Sequence, residues 1–222
     1  MDLLTSIDRG EVLRYLGYHG TEIDSQTEGL LRDCMEETLR VSRPRYTYRY
    51  FNLGQNGQLE NTLFALQGED ILRHLEGCHR CVLMAVTLGT ELETSIRAAQ
   101  IMQLARAVVL DSCASAAVEQ VCDAVQDLIA KEAAPDYLTA RFSPGYGDMP
   151  IGQQQDFVRL LDTARQIGLS VTPNNILLPR KSVTAVLGLS KTSPKHTKTG
   201  CGTCRLRETC SFRKEGKTCE NR

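Results

Sequence analysis

From residue 91 to about residue 133 the sequence keeps one helical pattern, and it follows directly on CVLMAVTL at 81–88, a run that is apolar almost throughout. These two neighbours constrain the fold more than anything else in the chain. Val118, Val121, Cys122, Val125, Leu128 and Ile129 recur at i, i+3, i+4, i+7 spacing, which puts one apolar stripe on one helix face. A straight helix over the whole stretch would reach about 60 Å at 1.5 Å per residue. That is long for a chain of 222 residues, so the pattern predicts a break near residues 111–115. The run at 81–88 is far short of the roughly 18 residues that span a bilayer. It reads as a buried central strand, ended by Gly89, with Thr90 able to cap the helix that follows.

The rest of the chain fills in around this pair. Ser6 or Asp8 can cap a helix over 9–16, and 25–40 carries Leu30, Leu31, Cys34, Met35 and Leu39 at helical spacing. After Pro44, Tyr46, Tyr48 and Tyr50 alternate with polar residues as a strand does. Residues 52–57 (NLGQNG) have turn chemistry, so 58–66 reads as a returning strand, followed by a short helix at 70–75. Pro135 closes the long helix. Residues 141–150 (RFSPGYGDMP) form a loop, 153–167 a helix ended by Gly168, and 169–172 and 182–189 two further strands.

Composition separates this body from the C-terminus. Lys and Arg number 26 and Asp and Glu 27, for a net charge of -1. That average conceals nine basic and three acidic residues after residue 190, a balance of +6, against -7 for residues 1–190. Four of the nine cysteines lie in the basic tail as Cys201, Cys204, Cys210 and Cys219, a C-x2-C-x5-C-x8-C pattern. With Leu206 and Phe212 almost all it can bury, such a segment needs a metal or disulfides to become ordered. The N-terminus has no basic-then-apolar signal segment, so the chain is expected in the cytoplasm, with its thiols reduced and metal as the better reading. An iron–sulfur cluster tolerates the irregular spacing; a structural zinc site is the alternative. The expected organisation is a body at 1–190, a linker at 191–200 and a four-cysteine tail at 201–222. Cys78 and Cys81 form a second C-x2-C without a further ligand pair, and Cys34, Cys113 and Cys122 lie on apolar faces.

The loop at 141–150 is the other place where chemistry concentrates. Gly145 and Gly147 allow positive φ and a close backbone approach. Pro144 and Pro150 stiffen the loop, Arg141 offers a planar fork for a carboxylate or phosphate, and Tyr146 offers a ring face and a hydroxyl. The plain alternative is a structural turn whose Arg141 pairs with a nearby carboxylate. The four histidines show no ligand spacing, and there is no P-loop, GxGxxG, HExxH or GxSxG. The tail could meet nucleic acid, but it lacks the interleaved aromatics of stacking modules.

Arg141, Gly145 and Tyr146 spell R-x-x-x-G-Y, and here the sequence resembles the C-terminal activation (reactivation) domain of cobalamin-dependent methionine synthase, whose S-adenosylmethionine-binding signature this is. VLMAVTLGTELE at 82–93, VEQVCDAVQDLIAKE at 118–132 and GLSVTPNNILLPRKSVTAVLGLS at 168–190 follow in the family's order, so roughly 80–190 is covered. The tail has no counterpart in the fused enzyme's domain, and the whole resembles the stand-alone activation proteins. The resemblance implies an α+β fold, with a twisted, largely antiparallel sheet packed against long helices.

It implies S-adenosylmethionine binding by Arg141, Pro144, Gly145 and Tyr146, with Arg141 on the methionine carboxylate, Tyr146 at the sulfonium and methyl as the catalytic residue, and Glu119 as a further polar contact. The function implied is reductive methylation of the cobalamin held by a partner methionine synthase or related corrinoid protein, fed by an electron donor. The tail, as an iron–sulfur site, could supply that electron. The competing readings are a zinc-stabilised interaction or nucleic-acid-binding module, and a methyltransferase acting on another substrate.

Overall fold

The structure, a computed structural model, describes residues 3–18 and 23–193. The tail cysteines and most of the expected linker lie outside the described residues. In chain order the elements are α1 (Arg9–Tyr15), α2 (Ser25–Val41), β1 (Arg45–Asn52), α3 (Glu69–His74), β2 (Arg80–Thr87), α4 (Thr90–Met102), α5 (Leu104–Ala133), β3 (Tyr137–Leu138), α6 (Gln154–Leu160), α7 (Thr163–Ile167), β4 (Ser170–Val171), β5 (Leu177–Leu178) and β6 (Ser182–Ser190). The fold is α+β. One antiparallel sheet has the order β1-β2-β6-β3, and β4 and β5 form a separate ribbon.

β2 is the central strand. It pairs with β1 from Arg45↔Thr87 to Asn52↔Arg80 and with β6 from Arg80↔Leu189 to Thr87↔Ser182. Its continuous apolar character follows from burial on both faces, since successive side chains point to opposite sides. Val82, Met84 and Val86, with Ala185, Leu187 and Leu189 of β6, pack against the helical layer of α1, α2, α4 and α5. Cys81, Leu83 and Ala85, with Val186, pack against α3, α6 and α7 through Ile71, Phe157, Leu161 and Ile167. Burying two sheet faces requires two helical layers, which explains why so many short helices accompany one small sheet.

The long helical pattern does break, but at Gln103 (φ -156°, ψ 98°), not at 111–115. Through 110–117 the buried Leu110, Cys113, Ala114 and Ala117 hold one apolar stripe. The Ser112 and Ser115 hydroxyls each donate to a carbonyl four residues back, at 3.0 Å, so they do not compete with the helix. At 101–104, Ile101, Met102 and Leu104 are exposed, and no burial favours a straight path.

Three further expectations are corrected. Residues 58–66 are not a returning strand. They close on themselves as a compact loop, with Leu59 N–H donating to the Phe64 carbonyl at 3.0 Å and Gln58 Nε2 donating to the carbonyls of Leu59, Thr62 and Phe64. Burial of Leu59 and Leu66 drives that closure. Gly89, with φ 86°, occupies the cap of α4, and Thr90 is its first helical residue. The single helix expected at 153–167 is divided at Asp162, which takes a left-handed φ of 49°. The strands expected at 169–172 and 182–189 form as Ser170–Val171 and Ser182–Ser190; the first pairs with Leu177–Leu178, and the fourth place in the main sheet goes to β3. The cap of α1 is Asp8, not Ser6: its carboxylate accepts from Glu11 N–H at 3.0 Å. No helix among the described residues is long and apolar enough to cross a membrane.

Candidate functional site

The 141–150 loop is fixed at both ends to the sheet and α3. Beyond β3 the chain follows β6: Thr139 N–H donates to the Gly188 carbonyl at 3.0 Å, and Phe142 and Val186 exchange backbone bonds at 3.0 and 2.8 Å. Arg141 therefore sits between two points of attachment. The turn itself is closed by Tyr146 N–H to Ser143 O (3.1 Å), Gly145 N–H to Met149 O (3.0 Å) and Met149 N–H to Tyr146 O (3.0 Å). The Asp148 carboxylate accepts from the N–H groups of Glu69 (2.8 Å) and Asp70 (3.0 Å), joining the loop to the start of α3. Gly145 (φ 92°) and Gly147 (φ 54°) occupy the left-handed region, and a Cβ on Gly147 would collide with the Asp70 carboxylate.

Arg141 turns inward to α5. Its guanidinium contacts three side chains on one helix face: Glu119 Oε2 at 3.1 Å, Asp123 Oδ1 at 2.7 Å and the amide oxygen of Gln126 at 3.0 Å. The Arg141 side chain is only 15% exposed, while Glu119 is 35% and Asp123 64% exposed. Burial works against its charge, but the Asp123 hydrogen bond and the surrounding negative groups hold the guanidinium above its ordinary range. The structure thus brings Arg141 and Glu119 together as an ion pair, a contact that the plain structural-turn reading also expects. The sequence signal for Asp123 and Gln126 was the same helical stripe, 119, 123 and 126 at i, i+4 and i+7. Gln126 was not singled out from sequence, because an amide on a helix face has no distinctive chemistry.

Tyr146 stands at the open side of the loop, 63% exposed, with its ring edge-on to Phe142 at 6.4 Å between centroids. Phe142 in turn packs against His74 at 5.3 Å, and the His74 Nε2 lies 2.9 Å from the Ala140 carbonyl. Burial depresses the His74 pKa below its ordinary value, so the ring donates to that carbonyl as a neutral imidazole. Pro144 lies between Arg141 and Gly145 in the same turn and is buried. The site combines a half-hidden cation between carboxylates, an exposed aromatic ring and a glycine turn. A zwitterionic amino-acid group with an attached planar or cationic moiety has the complementary chemistry.

Four of the five body cysteines, Cys34, Cys81, Cys113 and Cys122, are buried, and Cys78 is partly buried. Burial pushes the thiol of Cys34 up to about 11 and those of Cys81, Cys113 and Cys122 up to about 12. Among the described residues no group of three or more His, Cys, Asp or Glu side chains could hold a metal ion, so Cys78 and Cys81 gain no further ligand there.

No known protein-family profile matches the chain, and no curated protein does. Among solved structures, the chain is similar to the MetH reactivation domain, in a crystal structure bound to AdoHcy. The TM-score is 0.61 at 16% sequence identity, over 82% of this chain and 73% of that one. The antiparallel sheet and the long helices packed against it thus have the fold of the MetH reactivation domain.

Proposed function

We propose that the chain binds S-adenosylmethionine at the 141–150 loop and acts as the activation subunit of a cobalamin-dependent methionine synthase or related corrinoid protein. The observation that carries this reading is Arg141, sheltered on a reactivation-domain fold between Glu119 and Asp123. The methionine carboxylate takes the Arg141 fork, and the two helix carboxylates thereby released take the ammonium group. Pro144 and Gly145 shape the turn against the ligand, and Tyr146 lies over the sulfonium, where its ring face favours positive charge. When bound, S-adenosylmethionine offers a methyl group on a sulfonium, and the open position of Tyr146 leaves that side free for a corrinoid presented by the partner.

The residues that hold the ligand are those named from the sequence, with Asp123 and Gln126 added. The four tail cysteines are proposed to hold an iron–sulfur cluster that passes the electron needed to reduce the corrinoid, with zinc as the alternative occupant. Mixing the protein with oxidised, cob(II)alamin-loaded methionine synthase that lacks its own activation domain tests the whole reading. With reductant and methyl-labelled S-adenosylmethionine, label should appear on the corrinoid, and Tyr146→Ala should slow its appearance at least tenfold. Label that stays on S-adenosylmethionine with wild-type protein contradicts the assignment. A Cys204→Ser variant that supports reduction as well as wild type removes the electron-transfer role of the tail.

A further inference from the structure

The 141–150 turn has little rigidity of its own. Gly145 and Gly147 both sit at positive φ, and the exposed Tyr146 ring meets Phe142 edge-on, at 6.4 Å between centroids. The place of Tyr146 is therefore set through the backbone. That path leads to Met149, which is buried in the same cluster as Ile71 and Phe157. Its N–H donates to the Tyr146 carbonyl at 3.0 Å, and its carbonyl accepts from Gly145 N–H at 3.0 Å.

Residues 148–153 are stitched in turn to residues 65–70 by the side chains of Asp148 and Gln153. The Asp148 carboxylate uses both oxygens: Oδ2 accepts from Glu69 N–H at 2.8 Å and Oδ1 from Asp70 N–H at 3.0 Å. The buried Gln153 amide accepts from Gln67 N–H at 3.0 Å and donates to the Ala65 carbonyl at 2.8 Å. Glycines permit the close approach. A Cβ on Gly68 would lie 2.6 Å from the Asp148 carboxylate, and one on Gly147 would lie 2.4 Å from that of Asp70. Asp148 is the nearer stitch, two residues from Tyr146 and adjacent to Met149. Its bonds carry a full negative charge, so they are stronger than neutral bonds of the same geometry.

We infer that Asp148 is a positioning residue, which through Met149 holds the Tyr146 ring where the ligand's sulfonium is to lie and touches no ligand itself. The inference rests on the reading of this loop as the S-adenosylmethionine site. It divides the loop into two separately anchored halves. Arg141 is fixed by β6 and α5, and Tyr146 is fixed by α3.

Calorimetric titration with S-adenosylmethionine across Asp148→Ala, Tyr146→Ala and the double variant tests the coupling. Asp148→Ala should weaken binding about tenfold, and the double variant should bind within about twofold of Tyr146→Ala alone. Asp148→Asn, which keeps one acceptor oxygen for the two N–H groups, should fall between wild type and Asp148→Ala, and it supplies the same comparison should Asp148→Ala lose the fold. A second measurement needs no ligand. The chain contains no tryptophan, so Tyr146→Trp places a single indole at the open side of the turn. Adding Asp148→Asn or Asp148→Ala should lower its fluorescence anisotropy while the far-ultraviolet circular dichroism stays unchanged. Equal anisotropy with and without Asp148, or losses of affinity that multiply to about a hundredfold in the double variant, overturns the inference. Lowered anisotropy together with a wild type that does not bind S-adenosylmethionine upholds the clamp and overturns the ligand assignment, so the two failures are read separately.

Discussion

Arg141 is the residue on which the site turns, and its neighbours make its replacement informative. Removing the guanidinium leaves Glu119 and Asp123 facing each other without their shared cation. Arg141→Ala should therefore lower stability by about 1–3 kcal/mol, as expected when a hydrogen-bonded charged group loses its partner. Adding Glu119→Gln should recover part of that loss, and chemical denaturation of the single and double variants measures it. His74 offers a pH test. Its folded pKa is depressed below the ordinary 6.5, so as pH falls the unfolded chain takes up the proton first. Its contribution to stability is therefore complete above about pH 6.5 and is lost as pH falls toward and through the folded value. His74→Gln, which keeps a donor for the Ala140 carbonyl, should flatten the fall in melting temperature between pH 7 and pH 5.

At the scale of elements, the turn and the central strands depend on close approaches that side chains would block. A Cβ on Gly188 would lie 2.5 Å from the Cys78 sulfur and 2.7 Å from Leu75. Gly188→Ala should thus cost about 1–3 kcal/mol through overpacking. Gly147→Ala should disturb the 141–150 turn against α3 and weaken ligand binding more than stability, a contrast that paired titration and thermal melts can read. Much of this level was legible in the sequence. The run at 81–88 was readable as a central strand because burial on both faces leaves a continuous apolar signature. Residues 141–150 were readable as a loop from their prolines and glycines, whereas R-x-x-x-G-Y stood out only through the resemblance to the activation-domain family. The kink at Gln103 was not legible, because it reflects missing burial at Ile101, Met102 and Leu104, which only the packed structure reveals. Residues 58–66 misled for a related reason: they follow turn chemistry at 52–57, yet Leu59, Phe64 and Leu66 are buried by a loop that folds on itself.

At the scale of the whole molecule, the division between an acidic body and a basic four-cysteine tail bears on function. The buried thiols of Cys34, Cys81, Cys113 and Cys122 should resist alkylation at neutral pH in the native protein, their pKa values being raised by burial. Cys201, Cys204, Cys210 and Cys219 should resist only while a metal or cluster holds them, so chelation should expose four fast-reacting thiols by mass spectrometry. The central claim concerns the body and is tested most directly by calorimetric titration of the full chain with S-adenosylmethionine. The account predicts saturable one-to-one binding by wild type and its loss, by at least tenfold in affinity, in Arg141→Ala with the fold retained. Absence of binding by wild type, or equal binding by Arg141→Ala, would contradict it.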